Sequence, residues 1–213
     1  MSNAEAKQSE QTNIVLVTDP MCSWCWGMAD DFRQVLIQFE NQLNFDLMLG
    51  GINTHGTQPI GDYGRRYLRR LWQDVATTTG IKFGELPQQD YVHNSTAPCL
   101  VLEAARILDK AVPFDLLRAL QRAFFQDGLP ISDRDVALSV AGAQGYSVTS
   151  LQDGMEAAIT QEQLKFQFAN ANQFGTDALP SLLVQRPGEA GLSLLAGGYV
   201  SADMFAQIIQ AQI

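Results

Sequence analysis

Two cysteines separated by two residues form the strongest chemical signal in the sequence. Cys22 and Cys25 lie in the segment DPMCSWCWG, where strand-forming residues give way to a helix-forming stretch. This spacing puts both side chains on one helix face, close enough for a disulfide. Unpaired N–H groups and the dipole at a helix N-terminus favour a thiolate, so we expect a lowered pKa for Cys22. The pattern predicts thiol–disulfide exchange, with Cys22 attacking and Cys25 resolving the mixed disulfide.

Half of a zinc site and a pair of inert thiols are the alternative interpretations of these cysteines. A structural zinc ion needs four ligands, and the other soft candidates, His55, His93 and Cys99, form no second paired motif. We therefore favour redox chemistry and expect no metal site. Cys99 is predicted to be a buried structural residue, with a regulatory thiol as the alternative. Both histidines are interpreted as incidental.

The elements around the cysteine pair form a βαβ opening. Residues 14–18 are β-branched or leucine side chains ended by Asp-Pro, which predicts a buried strand. From residue 25 to residue 39, apolar side chains recur every three or four residues, as on one face of a helix. Alternation over 45–49, closed by two glycines, predicts a second strand. Asp19 is assigned to the turn after the first strand.

The middle of the chain, residues 54–154, predicts consecutive amphipathic helices without a strand. Ser132 is the expected cap of the fourth helix. Four arginines lie opposite the first apolar stripe and are interpreted as a solvated face, with a basic patch that recruits acidic substrates or glutathione as the alternative. These are Arg65, Arg66, Arg69 and Arg70. The stripes are Tyr63, Tyr67, Leu68, Leu71, Trp72 and Val75; Leu100, Val101, Ala104, Ala105 and Leu108; Phe114, Leu117, Leu120 and Phe124; and Val136, Ala137, Val140 and Ala141.

The last sixty residues return to a mixed pattern. Thr160 with Gln163 forms a capping box, which predicts a helix that runs to Phe174 and stops at Gly175. Two strands and a closing helix capped by Ser201 are expected after it. These last elements are predicted at 181–185, at 192–199 and from 202 to about 210.

Composition restricts the classes of partner. The chain has 213 residues, 46% hydrophobic and 17% charged, as in an ordinary globular protein, while residues 1–12 predict a disordered tail. A formal net charge of −9 repels phosphate backbones and anionic membranes, so neither nucleic acid nor a membrane is an expected partner. The sequence begins without a secretory signal and has no bilayer-length apolar run. We therefore expect a cytoplasmic protein, or a periplasmic one if a signal precedes this sequence.

The DPMCSWCWG segment, the helical block between the βαβ and ββα halves, and a Leu-Pro pair before the third strand together resemble a known family. It is that of the DsbA-like oxidoreductases of the thioredoxin superfamily, particularly their FrnE-like branch of predicted protein disulfide isomerases. We expect an α/β thioredoxin-like fold over 13–53 and 155–213, interrupted by an all-helical subdomain at 54–154. In that family the matching proline is cis and stands beside the CxxC. The resemblance implies that Pro180 and Leu179 bind an extended substrate chain.

Two positions differ from better-known members of the superfamily. The active-site dipeptide is Ser23-Trp24, without the histidine that strongly oxidising DsbA enzymes carry there, so we do not expect a strongly oxidising potential. Leu16 stands where thioredoxins have a buried acid, which argues against a close copy of a general reductase. Trp24 is interpreted either as a substrate contact or as a packing residue, and Trp26 as a core residue.

The resemblance implies a protein-disulfide oxidoreductase, with isomerase activity included. It needs no dissociable cofactor, and its partners are protein or small-molecule thiols and disulfides, with glutathione as a candidate co-substrate. One alternative is a glutathione-dependent enzyme of the 2-hydroxychromene-2-carboxylate isomerase or kappa-class transferase type, which acts through a serine. The other is a non-catalytic binding module. The direction of electron flow and the oligomeric state stay open.

Overall fold

Four strands form one mixed sheet at the centre of the fold. β1 (Asn13–Thr18) pairs in parallel with β2 (Asn44–Leu49), as their connection through a helix requires. β3 (Ser181–Gln185) pairs antiparallel with β1 on one side and with β4 (Ser193–Gly197) on the other. The spatial order is therefore β2-β1-β3-β4. All four predicted strands are present, and β4 ends two residues earlier than expected.

The computed structural model describes residues 11–109, 111–171, 173–174 and 178–213. Most of the predicted disordered tail, residues 1–10, lies outside the described residues. At its end, the Thr12 carbonyl accepts a hydrogen bond from the Asn44 N–H at 3.0 Å. The chain is therefore tied to the start of β2 one residue before β1 begins.

Helices account for most of the remaining described residues. Between β2 and β3, the described residues form helices without a strand, as the apolar stripes predicted. The helices are α1 (Ser23–Phe39), α2 (Gly61–Thr79), α3 (Thr96–Asp109), α4 (Phe114–Phe125), α5 (Arg134–Ala143), α6 (Val148–Glu156), α7 (Ala158–Ala171) and α8 (Ala202–Gln210). The order matches a thioredoxin-like α/β fold with a helical insertion.

The two faces of the sheet bury different side chains, because successive residues of a strand point to opposite faces. Ile14 and Leu16 contribute to a large apolar core that runs without interruption from the sheet into the helical block. Val15 and Val17 belong to a smaller cluster on the other face. The sheet and the helical insertion thus share one core, which fixes α1 and its cysteines between them.

Close packing holds α1 against α2. A Cβ added at Gly27 would lie 2.9 Å from Val75 Cγ1 and 2.9 Å from Thr79 Cγ2, closer than carbon atoms approach. Only glycine lets the two helices come this near, two residues after Cys25. The N-terminal end of α1 is therefore held firmly in place.

The first predicted stripe of the helical block is wider than the buried face that forms. Tyr63 and Tyr67 are 79% and 59% exposed, whereas Leu68, Trp72 and Val75 are buried. The prediction of core positions for both tyrosines is therefore wrong, because α2 packs only its narrower face against α1. Leu108, at the end of the second stripe, is also exposed.

Two predicted helix starts are also wrong. Asp133, and not Ser132, caps α5, because its carboxylate accepts hydrogen bonds from the N–H groups of Asp135 and Val136. Thr160 does not open a helix either. It lies inside the first turn of α7, buried, and its hydroxyl has no hydrogen-bond partner among the described residues.

Two neighbouring helices also differ from the prediction for this region. α7 ends at Ala171, three residues before the predicted end at Phe174, and the predicted stop at Gly175 lies outside the described residues. α6, capped by the Ser147 hydroxyl, is a separate helix that no predicted stripe marked. It shows only two fully buried residues, Leu151 and Met155, which is too short a pattern to read from the sequence.

Candidate active site

Cys22 is the N-cap residue of α1, and its sulfur already acts as a hydrogen-bond acceptor there. The backbone N–H of Cys25 donates to Cys22 Sγ at 3.2 Å, and the N–H of Trp26 donates to the Cys22 carbonyl at 3.0 Å. Asp-Pro ends β1 immediately before, so the strand-to-helix junction lies at the cysteines themselves. Both cysteines are free thiols and both are buried.

The expected lowering of the Cys22 pKa is wrong for this reduced site. Burial raises the pKa of the Cys22 thiol well above its usual range, and the adjacent Cys25 and the Asp19 carboxylate raise it further. The hydrogen bond from the Cys25 N–H acts in the opposite direction but is the weaker effect. The helix N-terminus is present as predicted, yet loss of water outweighs it. Burial therefore favours the thiol form of Cys22 over the thiolate.

Asp19 is an acid buried completely beneath the cysteine pair, which the sequence analysis assigned only to a turn. Its carboxylate does accept the turn hydrogen bond from the Met21 N–H at 2.7 Å. It also accepts one from the Ile52 N–H at 3.0 Å and one from the Ser95 hydroxyl at 2.5 Å. Burial still dominates and raises the pKa of Asp19 to about 6. The site therefore contains a carboxyl group that titrates near neutral pH.

Cys99 shares this buried acid. Its thiol donates to Asp19 Oδ2 at 3.7 Å, one helical turn from Ser95, whose hydroxyl binds the same oxygen. Burial raises the pKa of Cys99 well above its usual range, and the Asp19 charge adds to the effect. The third thiol is therefore a protonated, completely buried group next to the site, as a packing role requires.

The two cysteines open onto different recesses. Cys22 lies in a groove of about 430 Å³ between the start of α1 and α2, together with Trp24, Tyr67 and His93. Cys25 instead lines a separate cavity of about 300 Å³ between α1 and α4. Cys22 is therefore the cysteine that lines the groove, whereas Cys25 lines the cavity.

The Leu179-Pro180 pair lies where β3 begins, and its peptide bond is cis. Pro180 lines the same cavity as Cys25, and its carbonyl accepts a hydrogen bond from the Gly198 N–H at 2.8 Å. Leu179 packs against Gly50, where an added Cβ would lie 2.8 Å from the leucine Cδ1. The proline predicted to accompany the CxxC therefore lies near Cys25, on the same cavity.

The two tryptophans around Cys25 have different surroundings. Trp26 is buried, as predicted, and its indole N–H donates to the Lys82 carbonyl at 3.2 Å. Trp24 is half-buried beside Cys22, with its ring centroid 5.7 Å from that of Tyr199. Ser23 is buried between the cysteines. Trp24 is therefore the member of the dipeptide that an incoming molecule can touch.

His93 and Arg65 have surroundings that the sequence did not indicate. His93 lines the Cys22 groove, and burial lowers its pKa to about 4. It is therefore neutral at physiological pH. Arg65 is not solvated: its guanidinium donates to the Pro87 and Gln89 carbonyls at 2.6 and 2.7 Å. His55 is exposed in its loop, as expected of an incidental residue.

The described residues hold neither a metal-ligand cluster nor a membrane span. They contain no group of three or more His, Cys, Asp or Glu side chains arranged to hold a metal ion. None of the helices within the described ranges is long and apolar enough to cross a membrane.

Comparison with known proteins finds a matching family model and several solved structures with a similar fold. A family model described as thioredoxin matches residues 16–207, which is most of the chain. A candidate protein disulfide isomerase from Nitrosomonas europaea has a TM-score of 0.84 at 22% identity, over 95% of this chain and 97% of that one. The cytosolic disulfide reductase DsbM from Pseudomonas aeruginosa has a TM-score of 0.75 at 25% identity, over 94% and 98%, and its structure is also known with glutathione.

A DsbA-type oxidoreductase from Streptomyces coelicolor has the same architecture, with a TM-score of 0.71 at 17% identity, over 95% of this chain and 90% of that one. Because the family model covers both halves of the sheet, the chain belongs to the thioredoxin family, and its fold is similar to that of the DsbA-like proteins compared above.

Proposed function

We propose that this protein is a thiol–disulfide oxidoreductase in which Cys22 attacks the substrate and Cys25 resolves the mixed disulfide. The observation that carries the proposal is the placement of the pair. Cys22 lies at the N-terminus of α1 in an open groove, and the N–H of Cys25 donates to its sulfur at 3.2 Å. A thiolate formed on Cys22 keeps this hydrogen bond and gains a charge-assisted one.

The reaction balances as a two-electron exchange. The Cys22 thiolate attacks one sulfur of a substrate disulfide, the substrate S–S bond breaks, and the departing thiolate takes up a proton. Cys25 then loses its proton and attacks Cys22 Sγ, which releases the second substrate thiol and leaves a Cys22–Cys25 disulfide. The substrate is reduced by two electrons and the protein is oxidised by two. Two molecules of a low-molecular-weight thiol such as glutathione return the protein to its dithiol form and leave as one oxidised disulfide.

We infer that reduction of disulfides is the favoured direction. Strong oxidants of this superfamily are strong because a low cysteine pKa stabilises their reduced form. Here burial and the Asp19 charge raise the pKa of Cys22, and no histidine stands in the Ser23-Trp24 dipeptide. The similarity to DsbM, a cytosolic disulfide reductase, supports the same direction and a reducing compartment such as the cytoplasm. Isomerase activity would require the mixed disulfide to outlive attack by Cys25.

We further propose how substrate is held. An extended chain beside Leu179 and Pro180 would present its disulfide at the groove that contains Cys22 and Trp24. The exposed edge of Trp24 and the ring of Tyr67 supply apolar contact on either side of the groove. Glutathione is the small co-substrate that this arrangement would accept, as the glutathione complex of DsbM suggests.

The test is reduction of a peptide disulfide by glutathione, followed with a coupled assay, in three single variants. Cys22→Ser should lower the rate by at least about 100-fold, because the nucleophile is lost. Cys25→Ser should accumulate a mixed disulfide on Cys22, detectable by intact mass. Cys99→Ser is the matched control and should retain the rate. Full activity of Cys22→Ser would contradict the proposal, and unchanged turnover in Cys25→Ser would favour a glutathione-dependent enzyme with one reactive residue.

A further inference from the structure

The cavity between α1 and α4 has the size of a small-molecule site. Its volume is about 300 Å³, at the lower end of the range found for ligand pockets. Its lining includes Cys25 and Pro180, which are buried, and Arg33 and Ile37, which are exposed. Most of the wall is apolar, formed by Leu16, Met28, Phe32, Leu36, Phe114 and Leu117.

Gln121 places an amide in this apolar wall. The residue is only 1% exposed and it lines the cavity. An amide has both a hydrogen-bond donor and an acceptor, so Gln121 is a polar group that a molecule in the cavity can bind.

Arg118 supplies a second donor on the same side of α4. Its Nη2 donates to Asp30 at 2.5 Å and its guanidinium stacks over the Trp26 ring at 3.8 Å, yet its Nη1 is buried without an acceptor among the described residues. Arg118 also lines the cavity and lies three residues before Gln121. Residues at this spacing are neighbours on a helix surface, so one ligand group can meet both donors.

The charges around these donors favour an anion. Burial is the main cause that lowers the pKa of Arg118; Asp30 opposes it, and the nearby Arg33 and Arg122 lower the pKa further. Asp115 is the acidic residue on the cavity wall, and it is exposed. A carboxylate between Gln121 and Arg118 would meet two donors and more positive than negative charge.

We propose that this cavity binds a small carboxylic acid with an apolar body, such as an arylalkyl carboxylate of about ten to fifteen non-hydrogen atoms. One carboxylate oxygen accepts from Gln121 Nε2 and the other from Arg118 Nη1. The hydrocarbon part fills the space between Phe32, Leu36 and Leu117. The ligand thereby contacts Cys25 and Pro180 from the side opposite to the groove of Cys22.

The test is calorimetric titration of the reduced protein with phenylacetate, 3-phenylpropionate, 4-phenylbutyrate and octanoate. At least one acid should bind saturably at one site per chain, and 3-phenylpropanol, which lacks the carboxylate, should bind at least about tenfold more weakly than 3-phenylpropionate. Absence of saturable binding for all four acids would overturn the proposal and leave a water-filled cavity.

Variants locate the site. Gln121→Leu and Gln121→Glu should each weaken the tightest-binding acid by about tenfold or more, the second by adding charge repulsion. Ala29→Phe, which projects a ring into the cavity, should abolish binding. Gln126→Leu, at the exposed end of α4, should leave the affinity unchanged. Wild-type affinity in both Gln121 variants, each shown to be folded by circular dichroism, would refute the assignment.

These titrations contain no disulfide and no added thiol, so the result does not depend on the proposed redox activity. Loss of exchange in Cys22→Ser with intact acid binding would support both proposals. Failure of acid binding with normal exchange would reject the cavity site alone.

Discussion

Replacing Asp19 by asparagine should give a variant whose stability, relative to that of the wild type, increases as the pH rises. Burial raises the pKa of Asp19 from 3.8 to about 6 in the folded protein. The folded state therefore binds the proton on Asp19 more tightly than the unfolded chain does. The stabilisation that this proton provides is fully present below about pH 3.8. It is lost as the pH rises through about 6. An asparagine side chain does not titrate, so the variant would lose nothing over this interval.

The magnitude comes from the size of that pKa change. Each tenfold change in proton affinity corresponds to about 1.4 kcal/mol, so a rise from 3.8 to about 6 corresponds to about 3 kcal/mol. Asparagine can still accept from the Met21 N–H, but it loses one acceptor for the Ile52 N–H or the Ser95 hydroxyl. That loss is the same at every pH and cancels when two pH values are compared.

The assay is urea denaturation of the wild type and Asp19→Asn at pH 3.5 and pH 7.5, followed by tryptophan fluorescence. The free energy of unfolding of the variant, relative to the wild type, should rise by about 3 kcal/mol between the two pH values. Asp153→Asn, at an exposed carboxylate on α6, is the control for the loss of one charge. A pH-independent difference, or a variant that becomes relatively weaker at pH 7.5, would refute the role of desolvation.

Asp19→Asn should also lower the pKa of Cys22, since the Asp19 charge opposes the thiolate; the pH midpoint of iodoacetamide alkylation measures this, and an upward shift would contradict it. Gly27→Ala should destabilise the fold by about 1–3 kcal/mol, because its Cβ would lie 2.9 Å from Val75 Cγ1; unchanged urea denaturation would show that the helices can separate. Phe125→Ala should cost about 3–5 kcal/mol in the same assay, because the ring is completely buried, and a loss under about 1 kcal/mol would refute its place in the core.

The fold was predictable because its elements carry local signals. The β-branched run before the CxxC, the alternation in β2 and the Leu-Pro before β3 each indicate their element within a few residues. The cap of α8 at Ser201 was equally local, and its hydroxyl accepts from the Met204 N–H. Capping was less predictable where two polar residues stand together, as at Ser132 and Asp133, since either side chain could serve.

The electrostatics of the site could not be predicted, because they depend on contacts between distant segments. Asp19 meets Ser95 across 76 residues and Cys99 across 80, so no spacing rule connects them. Its own sequence position, directly before a proline, indicates a turn and hides the burial. The same holds for His93, which lines the Cys22 groove because the chain before α3 is hydrogen-bonded to the segment that follows β2, as from the Ser95 N–H to the Ile52 carbonyl.

The predicted helix N-terminus at Cys22 was confirmed, but the predicted lowering of the Cys22 pKa was wrong. The argument from spacing counts the favourable N–H groups, of which that of Cys25 does contact the sulfur, but it cannot count the water that folding removes. Likewise, the four arginines of α2 look alike in sequence, yet Arg65 differs because its guanidinium donates hydrogen bonds to carbonyls of the following loop.

The central claim is that Cys22 and Cys25 form a redox-active pair that works as a reductant. The most direct measurement is a redox titration against glutathione and then dithiothreitol, read by tryptophan fluorescence and checked by the mass of the alkylated protein. We predict one two-electron transition near about −270 mV, in the range of thioredoxin. A midpoint above about −200 mV would contradict the inferred direction. The absence of any cooperative two-electron transition would contradict the oxidoreductase function itself.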